Sequence, residues 1–97
     1  MKLIFIDLET TGTNPERNGV LQIAGQIFVS KRREVFSLRM RSFPEDVVET
    51  GTMEIHGLKP DEGIDPRTAH ASFVNLLSQY VDRYDKRDKF FFVAYNA

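Results

Sequence analysis

Apolar residues crowd the first stretch of the chain. Over Lys2–Glu9, Leu3 and Phe5 alternate with Ile4, Ile6 and Leu8, so both faces are apolar until Asp7 and Glu9 appear. A strand apolar on both faces belongs inside a sheet. Gly12, Asn14, Pro15 and Asn18 give Thr10–Asn18 the composition of a turn. A second strand is predicted over Gly19–Val29, with Leu21, Ile23, Ile27 and Val29 on one face. After a polar turn at Ser30–Arg33, a third runs over Glu34–Arg41, with Phe36, Leu38 and Met40 in register. So short a connection demands antiparallel pairing.

Ser42–Asp65 has no sustained period and reads as a long irregular segment, with helical turns around Glu45–Thr50 and Thr52–His56. Long loops in small domains are where substrate contacts concentrate. Asp65 and Pro66 then supply an N-cap and a first helical residue. Ala69, Phe73, Leu76, Leu77, Tyr80, Val81 and Tyr84 follow at three- and four-residue spacing, an apolar stripe facing the core. A polar turn at Lys86–Lys89 leads into Phe90–Tyr95, a continuous apolar run predicted to be a buried strand parallel to an earlier one. The fold class expected is therefore α/β, one mixed sheet in the order β-β-β-α-β with a helix packed on it. The sequence stops at Asn96-Ala97, directly after that strand. The expectation is part of a longer domain, or a sheet completed by a partner that pairs with the Phe90–Tyr95 edge, another copy of the chain included.

Composition narrows the class without naming it. The chain has 97 residues, 41% hydrophobic and 28% charged, which suits one folded domain rather than a disordered segment. No apolar run approaches the roughly 18 residues of a membrane span. With no Cys there is no disulfide, thiolate metal site or cysteine nucleophile, which fits a cytoplasmic protein. A net charge of −1 excludes a globally basic nucleic-acid binder. The charge is nevertheless uneven. Lys31, Arg32, Arg33, Arg39 and Arg41 face Glu34 alone in one stretch, and Pro44–Pro66 carries seven acids against Lys59.

Asp7 and Glu9 are the first candidates for chemistry. Two apart on a strand, they share a face with Cβ atoms roughly 6–7 Å apart. Carboxylates closing an apolar strand are costly unless solvated, paired or bound to a cation. A divalent ion would relieve their repulsion, and oxygen-only ligands select Mg²⁺ or Mn²⁺ over Zn²⁺. From spacing alone, a metal pair and a solvated strand end both stand.

Their context decides further. Phe5-Ile6-Asp7-Leu8-Glu9-Thr10-Thr11-Gly12 resembles the first motif of the DnaQ-like (DEDD) 3′→5′ exonucleases, which include polymerase proofreading domains and oligoribonucleases. Three further stretches agree in order. Asn18–Ala24 looks like the family's second strand, Glu54-Ile55-His56-Gly57-Leu58 like its Ile/Val-His-Gly-Ile segment, and Val93–Ala97 like the start of its second motif. The resemblance covers the whole chain and implies a ribonuclease H-like fold truncated after its fourth strand, with residues 1–97 forming one partial exonuclease domain.

What the resemblance implies can be placed residue by residue. Asp7 and Glu9 match two of four acidic ligands for a pair of Mg²⁺ or Mn²⁺ ions, which clamp the scissile phosphate and activate water. Leu8, Thr10, Thr11 and Gly12 match the stretch that contacts the terminal nucleotide. His56 matches a residue near that nucleotide, and Asn96 one beside the active site. By themselves Thr10, Thr11, His56 and Asn96 also fit solvated, capping or turn positions.

The implied activity is hydrolysis of single-stranded DNA or RNA 3′ ends to nucleoside monophosphates, in association with a DNA polymerase subunit in the proofreading version. The third acid should follow Asn96-Ala97 in a Phe-Asp pair, and the third motif follows later still. His56 and His70 precede the second motif and cannot supply the general base. The 97-residue chain alone is thus expected to be inactive. The competing expectation is a binding or interaction module that keeps the fold without the chemistry.

Overall fold

The computed structural model describes residues 1–94. Strands β1 (Lys2–Thr10), β2 (Val20–Val29) and β3 (Arg32–Arg39) form an antiparallel meander. Strand β4 (Phe91–Ala94) joins the free side of β1 in parallel, giving the spatial order β3-β2-β1-β4. Between β3 and β4 lie a short helix α1 (Thr50–His56) and a longer one, α2 (Pro66–Ser78).

β1 is central in this order, yet the described residues cover it unequally. Ile4 pairs with Ile27, both are fully buried, and together with Phe36 they form a core under Phe73, Leu76 and Leu77 of α2. Phe36 and Phe73 meet at a ring separation of 5.7 Å. Alternation places Leu3, Phe5, Asp7 and Glu9 on the other face. There Phe5 meets Phe28 edge-on at 5.5 Å, and the cross-strand neighbours Val35 and Phe91 stay exposed. The expected burial of both faces is therefore corrected to burial of one. Position 25 explains how closely β1 and β2 approach: a methyl on Gly25 would stand 1.8 Å from the carbonyl oxygen of Phe5.

Several predicted boundaries move, each for a local reason. β3 begins at Arg32 because a two-residue turn, with Ser30 at φ 55°, pairs Val29 directly with Arg32. It ends at Arg39, after which Met40 bridges Ile64 and ties down the long loop. The Arg39 guanidinium anchors the same loop by donating to the carbonyls of Leu21, Met40 and Lys59. The helical turn expected around Glu45–Thr50 is instead extended at Glu49 (φ −95°, ψ 116°). The amides of Val47 and Glu49 donate away from the segment, to Arg17 and Thr11. The second expected turn is α1, closed by Gly57 at φ 70°.

Helix α2 starts as the sequence predicts, with Asp65 Oδ2 accepting from the amides of Arg67 and Thr68 at 3.1 Å. It stops at Ser78, short of the stripe's last members. Side chains of Asp82, Asp85 and Asp88 accept from the amides of Tyr84, Arg87 and Asp82, offering the backbone a non-helical alternative. Tyr80 still packs on the core, whereas Tyr84 is 82% exposed. β4 is likewise an edge rather than a buried strand, with Phe91 and Phe92 more than half exposed. Tyr95 lies outside the described residues. No helix of the described residues is long and apolar enough to cross a membrane.

Candidate active site

The end of β1 is shaped by a break in its pairing. Asp7 opposes Ala24 and Glu9 opposes Gln22, but Thr10 opposes Val20, so one residue of β2 is skipped. The irregularity turns the chain out of the ladder at Thr10. Asp7 and Glu9 remain on the face α2 does not cover, Asp7 exposed and Glu9 half-buried.

Thr11 is the one buried polar side chain among the described residues. Its hydroxyl donates to the Val47 carbonyl at 2.7 Å and accepts from the Gly19 amide at 2.9 Å. Its own amide donates to the Gly19 carbonyl at 2.9 Å, and its carbonyl accepts from the Glu49 amide at 2.8 Å. Four hydrogen bonds thus join the end of β1 to the β1–β2 loop and to the segment before α1. Thr10 closes the turn locally by donating from its hydroxyl to the Gly12 carbonyl at 2.6 Å.

His56, at the end of α1, reaches the same place. Its Nδ1 accepts from the Leu58 amide at 3.1 Å, which leaves the proton on Nε2 to donate to the Thr10 carbonyl at 2.8 Å. The two partners fix one neutral tautomer and dock α1 against the motif.

Leu8, Thr10 and Gly12 gather around one concavity of about 740 Å³, together with Ile6, Val20 and Ala94. Asp7 and Glu9 stand across β1 from it. The structure therefore brings Leu8, Thr10 and Gly12 to one rim, ties His56 to the Thr10 carbonyl, buries Thr11 and sets the two acids on the opposite side of the strand. Asn96 lies outside the described residues.

Glu49 was hidden from sequence reasoning. A methyl on Gly12 would stand 2.5 Å from the Glu49 carboxyl carbon and 2.6 Å from the Asn18 side chain, so a third acid abuts the motif at Gly12. Arg17 approaches Glu49 at 3.8 Å. In the sequence Glu49 is one member of an acid-rich loop. Only the extended backbone imposed by Thr11 distinguishes it.

Asp7 and Glu9 suit a hard divalent cation in donor type and placement, being oxygen ligands side by side at a strand end. Among the described residues no three His, Asp or Glu side chains are grouped to hold an ion. The residues present therefore fit one side of a metal centre.

A mixed sheet in this order, with this motif at the end of its first strand, is that of the ribonuclease H-like α/β fold, and comparison with known proteins agrees. The family model described as Exonuclease matches residues 4–94, and the chain belongs to that family. Among solved structures, product-bound exonuclease I superimposes with a TM-score of 0.73 at 22% identity, covering 98% of this chain and 22% of that one. E. coli exonuclease I in complex with a dT13 oligonucleotide gives 0.72 at 22% identity, over 98% and 20% of the two chains. Cell-death related nuclease 4 gives 0.67 at 17% identity, over 96% and 34%. The chain thus spans about a fifth of the exonuclease I chains and a third of the other nuclease. No curated protein matches it significantly in sequence.

Proposed function

We propose that this chain carries the first part of the active site of a metal-dependent 3′→5′ exonuclease acting on single-stranded nucleic acid. The observation that supports this most is the pairing of Asp7 and Glu9 on one face at the end of β1, directly before Thr10–Gly12 in the chain. Asp7 and Glu9 would hold Mg²⁺ or Mn²⁺, which supplies charge neutralisation at a phosphodiester and an activated water. The backbone from Leu8 to Gly12, where β1 ends beside the acids, would border the terminal nucleotide, with Thr10 and His56 holding that backbone. The products on this reading are nucleoside monophosphates. The partner is a single-stranded DNA or RNA 3′ end, as dT13 is for exonuclease I. A polymerase subunit and a cytoplasmic location belong to the same proposal.

With two acids on one face and no grouped third donor among the described residues, the 97-residue chain binds the ions weakly and does not turn over. Titration of Mn²⁺ by electron paramagnetic resonance tests the site, together with release of label from a 3′-labelled single strand. The expected result is weak Mn²⁺ binding that Asp7→Asn and Glu9→Gln each abolish, without hydrolysis. Mn²⁺ binding indifferent to both substitutions overturns the site. Hydrolysis abolished by Asp7→Asn overturns the inactivity.

A further inference from the structure

The end of the sheet opposite Glu9 has a different chemistry. The β2–β3 turn brings Lys31, Arg32 and Arg33 there. The loop before β4 adds Arg83, Lys86, Arg87 and Lys89, and Lys2 begins β1 between them. Tyr80 joins the two segments, its hydroxyl bonded to Glu34, its carbonyl accepting from Lys2, and its ring 5.8 Å from the Arg32 guanidinium. Eight cations at this end face four acids, in a chain whose net charge is −1.

Those four acids are already engaged. Asp88 pairs with Lys2 at 2.5 Å, Asp85 approaches Arg87 at 3.9 Å, Glu34 accepts from Tyr80, and Asp82 caps the Tyr84 amide. Among the described residues no carboxylate lies within 4.0 Å of Lys31, Arg32, Arg33, Arg83, Lys86 or Lys89, and all six are exposed. Arg32 and Arg33 border a recess of about 230 Å³ with Ile27, Glu34, Gln79 and Tyr80, the Glu34 carboxylate being taken by the Tyr80 hydroxyl.

Aromatic rings stand among these cations. The Arg83 guanidinium lies 5.0 Å from the largely exposed Tyr84 ring, and the Lys89 ammonium 6.0 Å from that of Phe91. Exposed rings interleaved with cations receive unpaired bases by stacking while the cations hold phosphates. A duplex keeps its base faces internal, and an anion without bases uses the cations alone.

We propose that this end of the sheet is a second contact for single-stranded nucleic acid, with Arg32 and Arg33 on phosphates and Tyr84 and Phe91 against bases. The inference rests on the exonuclease reading only in taking the held strand to be substrate. Lys2 and Asp7 are about 17 Å apart along β1, at about 3.4 Å per residue. Binding here therefore needs neither a free 3′ end nor a divalent ion. Without bound ions the acids at the other end repel phosphate, so in EDTA the strand is held at this end alone.

Fluorescence anisotropy with dT16, in EDTA and at low salt, tests this on the 97-residue chain. Equal binding of 3′-phosphorylated and free dT16 is expected, with affinity falling steeply as salt rises. Arg32→Glu/Arg33→Glu should weaken it by at least about tenfold. Arg33→Glu alone provides a variant at an exposed position if the pair misfolds, and Tyr84→Ala should cost about fivefold. Lys59→Glu, outside this patch, should change little by comparison. Absent binding, equal loss from Lys59→Glu and Arg33→Glu, or heparin and duplex DNA competing as well as dT16 with no effect of Tyr84→Ala would each overturn the proposal. A Mn²⁺ titration insensitive to Asp7→Asn defeats the exonuclease reading separately, and leaves the EDTA result standing.

Discussion

The two ends of β1 are held in place by opposite means. Toward Lys2, the strand is fixed by apolar mass: Ile4 is sealed against Ile27, with Phe73, Leu76, Leu77, Tyr80 and Phe90 packed around them. Toward Thr10, the core gives way to directed hydrogen bonds, four on Thr11 and one from His56. Apolar packing fixes a strand by filling the space beside it. A ligand site needs that space open, so its framework must be held from behind and by polar contacts. The buried threonine does this without occupying the concavity in front of Thr10 and Gly12.

The contrast can be broken from either end. Ile4→Ala removes the most buried side chain of the packed half and should cost about 2–5 kcal/mol in urea unfolding, a large part of a small domain's stability. Thr11→Val keeps the shape but strands the Gly19 amide and leaves the Val47 carbonyl with the Asn18 side-chain amide alone, and should cost about 1–3 kcal/mol. Thr11→Ser should recover most of that loss. Amide exchange should show the Thr11→Val damage first at Gly19 and Glu49. If Thr11→Val unfolds at the same urea concentration as the parent sequence, polar ties do not hold the site end.

Smaller effects sharpen the same comparison. Asp65→Ala removes the cap of α2, whose Phe73, Leu76 and Leu77 pack on the Ile4 end, and should cost about 1 kcal/mol without changing Mn²⁺ affinity. The smallest effect concerns Asp88. Its hydrogen bond with the Lys2 ammonium, helped by the Asp82 amide, holds its carboxyl below the usual 3.8. A carboxyl depressed in the folded state adds stability that is fully present above its unfolded value. That contribution is lost as pH falls through the lower folded value. Unfolding free energy measured between pH 5 and pH 2 should therefore fall less steeply for Asp88→Asn than for the parent sequence.

The sequence made visible whatever depends on neighbours in the chain. An apolar run marked the first strand and alternation the next two, Asp65-Pro66 marked the start of α2, and Asp7 and Glu9 stood out because acids are conspicuous on an apolar strand. It concealed whatever depends on distant backbone. The end of α2 at Ser78 follows from Asp82 bonding to Asp88, and the extended conformation of Glu49 follows from an amide given to Thr11. Neither leaves a periodic trace. Thr11 and Glu49 illustrate this directly, since one reads as a loop threonine and the other as a solvated acid until the two segments meet.

The position of β4 has a consequence for how the protein is made. Of the four described strands β1 is synthesised before the others, and β2 and β3 follow at once, so the meander can pair as it emerges. The other edge of β1 must wait for Phe91–Ala94, some fifty residues after β3 ends. At about 5–20 residues per second, that interval is roughly 3–10 s of translation. During it, Leu3–Ile6 present an unpaired apolar strand edge to the ribosome surface and to any chaperone there. Closing a parallel pair across nearly the whole chain is also a high-contact-order step. Among the four described strands, the first translated is thus completed only when the fourth emerges, and until then the growing polypeptide is open to mispairing along the strand that carries Asp7 and Glu9.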